Sequence, residues 1–409
     1  MLERKRKLDC ANGREKADLV LKNGNVLNVF TEEVLKADVA ICGDTIVGVG
    51  EYEGKEEIDC TGKYLVPGFI DAHMHIESCM AAPGELAKVL AKAGTTTIIA
   101  DPHEIVNVSG TKGMDYFLKC AAKLLVNVFF MVPSAVPATD VETNGCGEFL
   151  ASDMMKYVDN ARVLGLGETM RFMECCEGEK RMADKLELFA KKHIDGHAPG
   201  IRGKEVQAYR LAGVENDHEC STAEEVLDKL RAGLHIYVRE GSGAKNLETL
   251  IKTMLDAGVC LDRCAFCTDD KHVEEIRKEG HISTCIRKAI ALGVPVAKAY
   301  KMGSYQAAEF YGLKNYGAIG AGYRADIVFL DDLEQVRPLD VMKDGRILTE
   351  EDYAKDYSVP VPDELLHTVH VGEVTKEKIR LSCDGKTDVI QNRLLPINIS
   401  RCRVTQSVS

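Results

Sequence analysis

The chain has 409 residues and a formal net charge of −12, from 52 lysines and arginines against 64 aspartates and glutamates. With 45% hydrophobic and 28% charged residues it reads as a globular protein of roughly two to three domains, not a disordered chain, and its acidic balance excludes the concentrated basic face of a nucleic-acid binder. The longest apolar stretch, Leu124–Ala138, is interrupted by Asn127 and two prolines and is too short for a membrane span, the polar Asp9–Lys16 leaves no signal-peptide core, and 15 scattered cysteines, an odd number, fit a reduced cytoplasm better than a disulfide framework.

In chain order, Ala17–Glu57 reads as short strands. Asp18–Leu27 alternates apolar and polar residues around an Asn-Gly turn at Asn23-Gly24, and Val39–Val49 repeats the pattern around Gly43-Asp44. Such a β module cannot bury both faces alone. From Leu65 strand-like and helical runs alternate: strand Leu65–Ile70, helix Glu85–Ala93 ended by Gly94, strand Thr95–Ala100, helix Gly113–Lys123 and strand Val126–Val132. Strand Val163–Gly167, helix Met182–Lys192 and strand His193–His197 follow, then Glu224–Ala232, Leu234–Arg239, Asn246–Ala257, Cys264–Thr268 and His281–Ala291. About eight β/α units over ~250 residues predict an α/β fold of the (β/α)8 TIM-barrel type. At Gly320 the β texture returns, with Ala325–Leu330, Val336–Val341 and a turn at Lys343-Asp-Gly345. The two flanks are therefore expected to pair as a small composite β-sandwich. The boundaries are 1–65 and 320–375 for its two parts, 66–319 for the barrel and 376–409 for an irregular tail.

In a (β/α)8 barrel the chemistry sits where strands end at the C-terminal face. After the first barrel strand comes Asp71-Ala-His-Met-His75, and histidines at i and i+2 on extended chain point the same way, so both can reach one metal. Later strands are followed by Glu168, His197, His218 and the pair Asp269-Asp270. Taken singly, Glu168 reads as a solvated or capping carboxylate, His197 and His218 as structural histidines, and Asp269-Asp270 as a helix cap. Their joint placement at successive strand ends favours a set of His73, His75, Glu168, His197, His218 and Asp269 around two divalent metals bridged by a carboxylate and a hydroxide. His103, after another strand, is a further site candidate, as is Glu77 just past the histidine pair. Arg239, Glu240, Ser242, Lys245 and Asn246 form a dense polar group, whereas Cys264 and Cys267 read as small buried hydrophobes and Cys175-Cys176 as bystanders.

Pro67-Gly-Phe-Ile-Asp-Ala-His-Met-His-Ile-Glu-Ser78 resembles the signature of the amidohydrolase superfamily, and Gly94-Thr-Thr-Thr-Ile-Ile-Ala-Asp-Pro-His-Glu-Ile105 narrows the resemblance to the bacterial adenine deaminases. Further matches are Gly165-Leu-Gly-Glu-Thr-Met, Asp195-Gly-His-Ala-Pro, Asp217-His-Glu, Val238-Arg-Glu-Gly-Ser and Cys267-Thr-Asp-Asp-Lys-His, so the resemblance runs from Ala17 to Arg346. It implies hydrolysis of adenine to hypoxanthine and ammonia in purine salvage, at a binuclear manganese or iron centre held by the six residues named above. Glu168 would supply directly the bridging carboxylate for which many relatives use a carboxylated lysine. Asp269 would also accept the proton of the attacking water, Asp270 would hydrogen-bond a ring nitrogen, and Glu77, His103 and Glu240 are the candidates for ring-nitrogen protonation or amine contact. The resemblance implies adenine as the partner and is compatible with a homo-oligomer, while the acidic charge argues against nucleic acid and the lack of a span against a membrane.

The sequence departs from the family in Ser78-Cys-Met80, Asn144-Gly-Cys-Gly147 and Tyr300-Lys-Met-Gly-Ser304, all taken as loops near the site. Full-length members continue into a further C-terminal domain, whose beginning Thr387–Ser409 does not resemble, so a truncated or frameshifted end is expected. Two rival functions remain: a truncated, inactive or weakly active metal-binding paralogue, and a cyclic-amide hydrolase of the hydantoinase or dihydroorotase type. The absence of a lysine at position 168 speaks against the second.

Overall fold

The computed structural model describes residues 2–368 except 141 and 143, together with 372, 373 and 375. The chain divides into two compact units, Met1–Thr368 and Val369–Ser409, and the described strands and helices all belong to the first. The tail expected over 376–409 lies outside the described residues.

The strands, in order, are β1 (Ala17–Asn28), β2 (Glu33–Cys42), β3 (Thr45–Gly50), β4 (Gly54–Asp59), β5 (Tyr64–Pro67), β6 (Phe69–Met74), β7 (Thr95–Ala100) and β8 (Asn127–Val132). They continue with β9 (Val163–Thr169), β10 (His193–Gly196), β11 (Asn216–Asp217), β12 (His235–Arg239), β13 (Cys264–Cys267), β14 (Ile327–Leu330), β15 (Asp340–Lys343) and β16 (Arg346–Ile347). The flanks combine: one eight-stranded sheet runs β16-β15-β14-β5-β1-β2-β3, with β4 also paired to β1. Leu21, Val26, Val39, Ile41 and Leu65 from one flank bury against Ile327, Phe329 and Met342 from the other.

The alternating stretch Asp18–Leu27 does not turn at Asn23-Gly24. It is continuous in β1, and Asn23-Gly24 is a bulge, with Leu21 opposite Val39 and Gly24 opposite Ala37. The reason is a change of neighbour. Before the bulge β1 pairs in parallel with β4, and after it with β5. Asn23 adopts a φ of +60°, donates its N–H to Asp38 Oδ1 (2.9 Å), and a Cβ on Gly24 would stand 2.6 Å from Leu65 Cδ1. The apolar run read as one strand, Leu65–Ile70, is likewise divided at Gly68, where the chain leaves the flank sheet as β5 and enters the barrel as β6.

The barrel strands are β6 to β13, all parallel, in ladders of five and three. One seam is bridged by the Glu215 N–H to the Ile194 carbonyl (3.0 Å), the other by a parallel bridge between Met74 and Asp269. Ile70, Ala72, Ile99, Met131, Tyr237 and Ala265 fill the interior with Ala307, Ala308 and Tyr311. The surrounding helices present apolar stripes inward: Leu86, Ala87, Leu90 and Ala91 of helix Pro83–Lys92 are buried at helical spacing. Helix Ala223–Arg231 opens with a capping box between Thr222 and Glu225.

Among the helices with no counterpart in the sequence reading are Leu2–Ala11, Val296–Met302 and Tyr305–Phe310. The second corrects the placement of Tyr300-Lys-Met-Gly-Ser304. Tyr300 and Met302 are buried in it, and the Gly303 carbonyl accepts from the Ile70 N–H (2.9 Å) at the start of β6, away from the end that carries the histidines.

Helix Lys180–Leu188 sends Lys185 inward, where its ammonium, only 1% exposed, donates to the Ser134 carbonyl (2.5 Å). Burial, with help from Arg181 and Arg171, lowers its pKa from 10.5 to about 8. The unfolded chain therefore binds the extra proton between those values, and this group's contribution to stability rises as pH increases from 8 to 10.5. In denaturant titrations across this window, the parent should gain up to about 3 kcal/mol relative to Lys185→Met. A stability difference that does not vary with pH would show that Lys185 is charged in the fold.

Candidate metal centre

β6 ends in the pair expected from period-2 geometry. His73 and His75 are 1% and 2% exposed, and their Nε2 atoms lie 3.2 Å apart. Across the seam, Asp269 donates its N–H to the His73 carbonyl (3.0 Å) and accepts from the His75 N–H (3.3 Å). Asp269 is held at φ +56°, a left-handed conformation that costs a non-glycine residue roughly 1 kcal/mol or more. The strain aims its carboxylate back over the pair: Oδ1 is 3.0 Å from His75 Nε2 and 3.9 Å from His73 Nε2, while Oδ2 accepts from Arg239 Nη1 (2.6 Å).

Glu168, on β9, joins this group to a second one. Its Oε1 lies 2.8 Å from His75 Nε2 and 3.1 Å from His73 Nε2, and its Oε2 lies 2.6 Å from His197 Nδ1 and 3.7 Å from His218 Nε2. The backbone around it is fixed on both sides. The Glu168 N–H donates to Asp101 Oδ2 (2.8 Å), and its carbonyl accepts from the Ser134 hydroxyl. The His218 ring stacks on His73 with centroids 4.1 Å apart. All six residues expected as ligands thus converge at one end of the barrel.

The donor set fits divalent cations. Neither ring nitrogen of His218 has a hydrogen-bond partner among the described residues, and neither does Glu168 Oε1, although all three atoms are buried. Separations of 2.8–3.2 Å among His73, His75 and Glu168 and between His75 and Asp269, with 3.9 Å between His73 and Asp269, are compatible with a shell whose metal–ligand bonds are about 2.1 Å. Burial would raise the Glu168 carboxyl, but His75, His73 and His197 more than reverse this and hold it well below the usual range. Burial likewise opposes a charge on His197, yet Glu168 lifts it to about 9. His73, His75, Glu168 and Asp269 form one group that could hold a metal ion, and Glu168, His197 and His218 form another.

The other expected residues are placed unevenly. The His103 ring packs on His75 (centroids 4.5 Å), with Nδ1 3.6 Å from Glu168 Oε1, and burial and the charge of His75 lower it to about 3. Glu77 accepts the Ile105 N–H at Oε1 (3.0 Å) and leaves Oε2 unpartnered. Asp270 is exposed, and its charge acts on Glu77 and Glu104. Glu240 is buried, and its Oε1 accepts from Lys288 (2.5 Å) on the outer helix Ile282–Ala291.

Three carboxylates at the centre were not singled out from the sequence. Asp101 is fully buried behind Glu168, and burial and that neighbour raise it to about 8. Glu104 stands 3.7 Å from both His75 Nδ1 and His103 Nε2. Glu219 is paired with Arg239, the same guanidinium that holds Asp269. Asp101 and Glu219 could have been found by the strand-end rule that found their neighbours, since each adjoins a strand end or an expected ligand.

Glu168→Ala should lower the divalent metal content of the purified chain at least twofold by elemental analysis, with an unchanged far-ultraviolet spectrum. Retention of the parent's metal content would remove Glu168 from the ligand set.

Residues 64–348 match the amidohydrolase family. The chain is 47% identical over 380 residues to an adenine deaminase of Desulfitobacterium hafniense (strain Y51), covering 93% of this chain and 66% of that one. It is 45% identical over 387 residues to an adenine deaminase of Clostridium acetobutylicum, covering 94% and 67%. It therefore spans about two thirds of the length of these curated relatives. Among solved structures, a β-aspartyl dipeptidase of Fervidobacterium islandicum AW-1 superposes with a TM-score of 0.61 at 19% identity, covering 83% of this chain and 98% of that one. An atrazine chlorohydrolase of Arthrobacter aurescens TC1, complexed with zinc, gives 0.61 at 15%, covering 82% and 96%. The chain belongs to the amidohydrolase family, in the group of the adenine deaminases.

Proposed function

We propose that the chain hydrolyses adenine to hypoxanthine and ammonia, a purine-salvage reaction. The observation that carries the chemistry is Glu168, whose two oxygens face two separate histidine sets. The adenine specificity rests on the relatives. We infer two divalent ions, Mn2+ or Fe2+, since both accept a mixed imidazole and carboxylate set. His73, His75 and Asp269 would hold one, His197 and His218 the other, and Glu168 would serve both. Such ions lower the pKa of water towards neutrality and so supply the nucleophile.

The chain's own groups then orient substrate and move protons. Asp269 is tethered by Arg239 through Oδ2, which leaves Oδ1 facing the histidines as the atom that takes up a proton. Glu77, His103 and Asp270 stand around the same end of the barrel as the groups to face a purine ring and its amine. Glu240, held by Lys288, is better suited to fixing the barrel wall than to touching substrate.

The thiols suit a reducing cytoplasm. Cys264 and Cys285 are buried, and burial pushes the first to about 12. Among the described residues no helix is long and apolar enough to cross a membrane.

The test is to load the 409-residue chain with manganese or ferrous iron and follow adenine loss and ammonia release, with hydantoin and dihydroorotate as competing substrates. Ammonia should appear in step with adenine loss, and Asp269→Asn should lower kcat by at least about a hundredfold while metal stays bound. Metal-loaded chain that releases no ammonia from adenine would refute the proposed activity. Near-parent turnover by Asp269→Asn would refute the proton-transfer role alone.

A further inference from the structure

The outer wall of the barrel carries a concavity that shares no residue with the metal centre. It lies between helix Pro83–Lys92, helices Val273–Glu279 and Ile282–Ala291, and the loop before β15, and its volume is about 850 Å³. Its lining includes six cationic side chains, Lys88, Lys92, Arg277, Lys278, Arg287 and Arg337, against two carboxylates, Glu85 and Glu279. In a chain of net charge −12 this is a marked local inversion of sign.

Little nearby neutralises it. Among the described residues only Lys88 and Lys92 of the six form ion pairs, with Glu85 (2.7 Å) and Glu350 (3.4 Å). Arg287 spends its donors on neutral acceptors: the Glu279 carbonyl (2.8 Å), the Gln335 carbonyl (3.3 Å) and Thr284 Oγ1 (3.2 Å). These bonds fix the guanidinium in place without cancelling its charge. Burial and the adjacent charge of Arg337 lower its pKa more than the charge of Glu279 raises it, so the two cations stand within mutual influence. Like charges held together around a concave surface repel one another, and an anion seated among them relieves that repulsion.

The shape narrows the anion. A protein or nucleic-acid partner would meet a convex or extended basic face, whereas this is a recess within the roughly 300–1,000 Å³ range of small-molecule sites and several times larger than one phosphate group. Arg287, oriented by neutral acceptors, and the neighbouring Arg277 and Arg337 match the oxygens of phosphate better than an isolated carboxylate, because several guanidinium forks can share one tetrahedral group. We propose that this pocket binds a phosphorylated small molecule of up to nucleotide size, with Arg277, Lys278, Arg287 and Arg337 receiving the phosphate.

Calorimetric titration of the metal-loaded chain at low salt tests this with three probes: UMP, inorganic phosphate and uridine. UMP or phosphate should bind saturably, uridine should not, and added salt should weaken binding. The double charge reversal Lys278→Glu with Arg337→Glu, at two exposed positions, should weaken binding at least tenfold and leave metal content and adenine turnover unchanged. UMP binding more tightly than phosphate would identify a nucleotide, and equal affinities would identify the phosphate group as the whole of the recognised ligand. No saturable binding of either anion up to about 1 mM, or binding indifferent to the charge reversal, would overturn the proposal.

Discussion

One buried carboxylate organises the histidine-bearing end of this barrel. Glu168 is 2% exposed and stays ionised because imidazoles approach both of its oxygens, His73 and His75 at one and His197 and His218 at the other. A charge in such a place is tolerable only when opposite charge lies within contact distance. Three constraints arise from it. β9 must end where β6, β10 and the chain after β11 also end, the Ser134 hydroxyl and Asp101 must hold its backbone, and burial and Glu168 together push the carboxyl of Asp101 up to about 8.

Asp269 ties the site to the closure of the barrel. The same residue bridges to β6 through its backbone and faces the histidines through its side chain. Its left-handed φ would be expensive in a loop free to relax, and it persists because two backbone hydrogen bonds and the Arg239 guanidinium fix it on three sides. Glu219, adjacent to His218, shares that guanidinium, so the ends of β6, β11, β12 and β13 form one electrostatic unit.

The barrel and the convergence of the six candidate ligands were legible in the sequence because they obey short-range rules. Period-2 geometry makes His73 and His75 point together, and the strand-end rule finds Glu168, His197, His218 and Asp269 without any knowledge of the third dimension. What failed was pairing information. Asn23-Gly24 has the composition of a hairpin turn, and only the exchange of β4 for β5 along β1 makes it a bulge. Glu240 follows a barrel strand like the proposed ligands, and its carboxylate meets Lys288, a partner 48 residues away on the outer layer. Tyr300-Lys-Met-Gly-Ser304 looked like a loop because Gly303-Ser304 interrupts it, whereas the helix on either side is fixed by burial against the barrel, which no local pattern reports.

That misplaced segment also shows how the site is supported from below. The chain that follows it, helix Tyr305–Phe310 and Tyr311, packs into the barrel interior. The Tyr311 hydroxyl lies 2.7 Å from Asp195 Oδ2 and 3.2 Å from the Ala72 carbonyl. Asp195 is two residues before His197 on β10, and Ala72 immediately precedes His73 on β6. Asn216, just before Asp217-His218, donates to the other oxygen of Asp195 (2.5 Å). One buried tyrosine and one buried carboxylate therefore connect the three strands that carry histidines of both sets, one layer beneath the imidazoles. A metal site tolerates displacements of only a fraction of an ångström in its donors, and this hydrogen-bonded floor, together with the closed seam at Asp269, is what holds them.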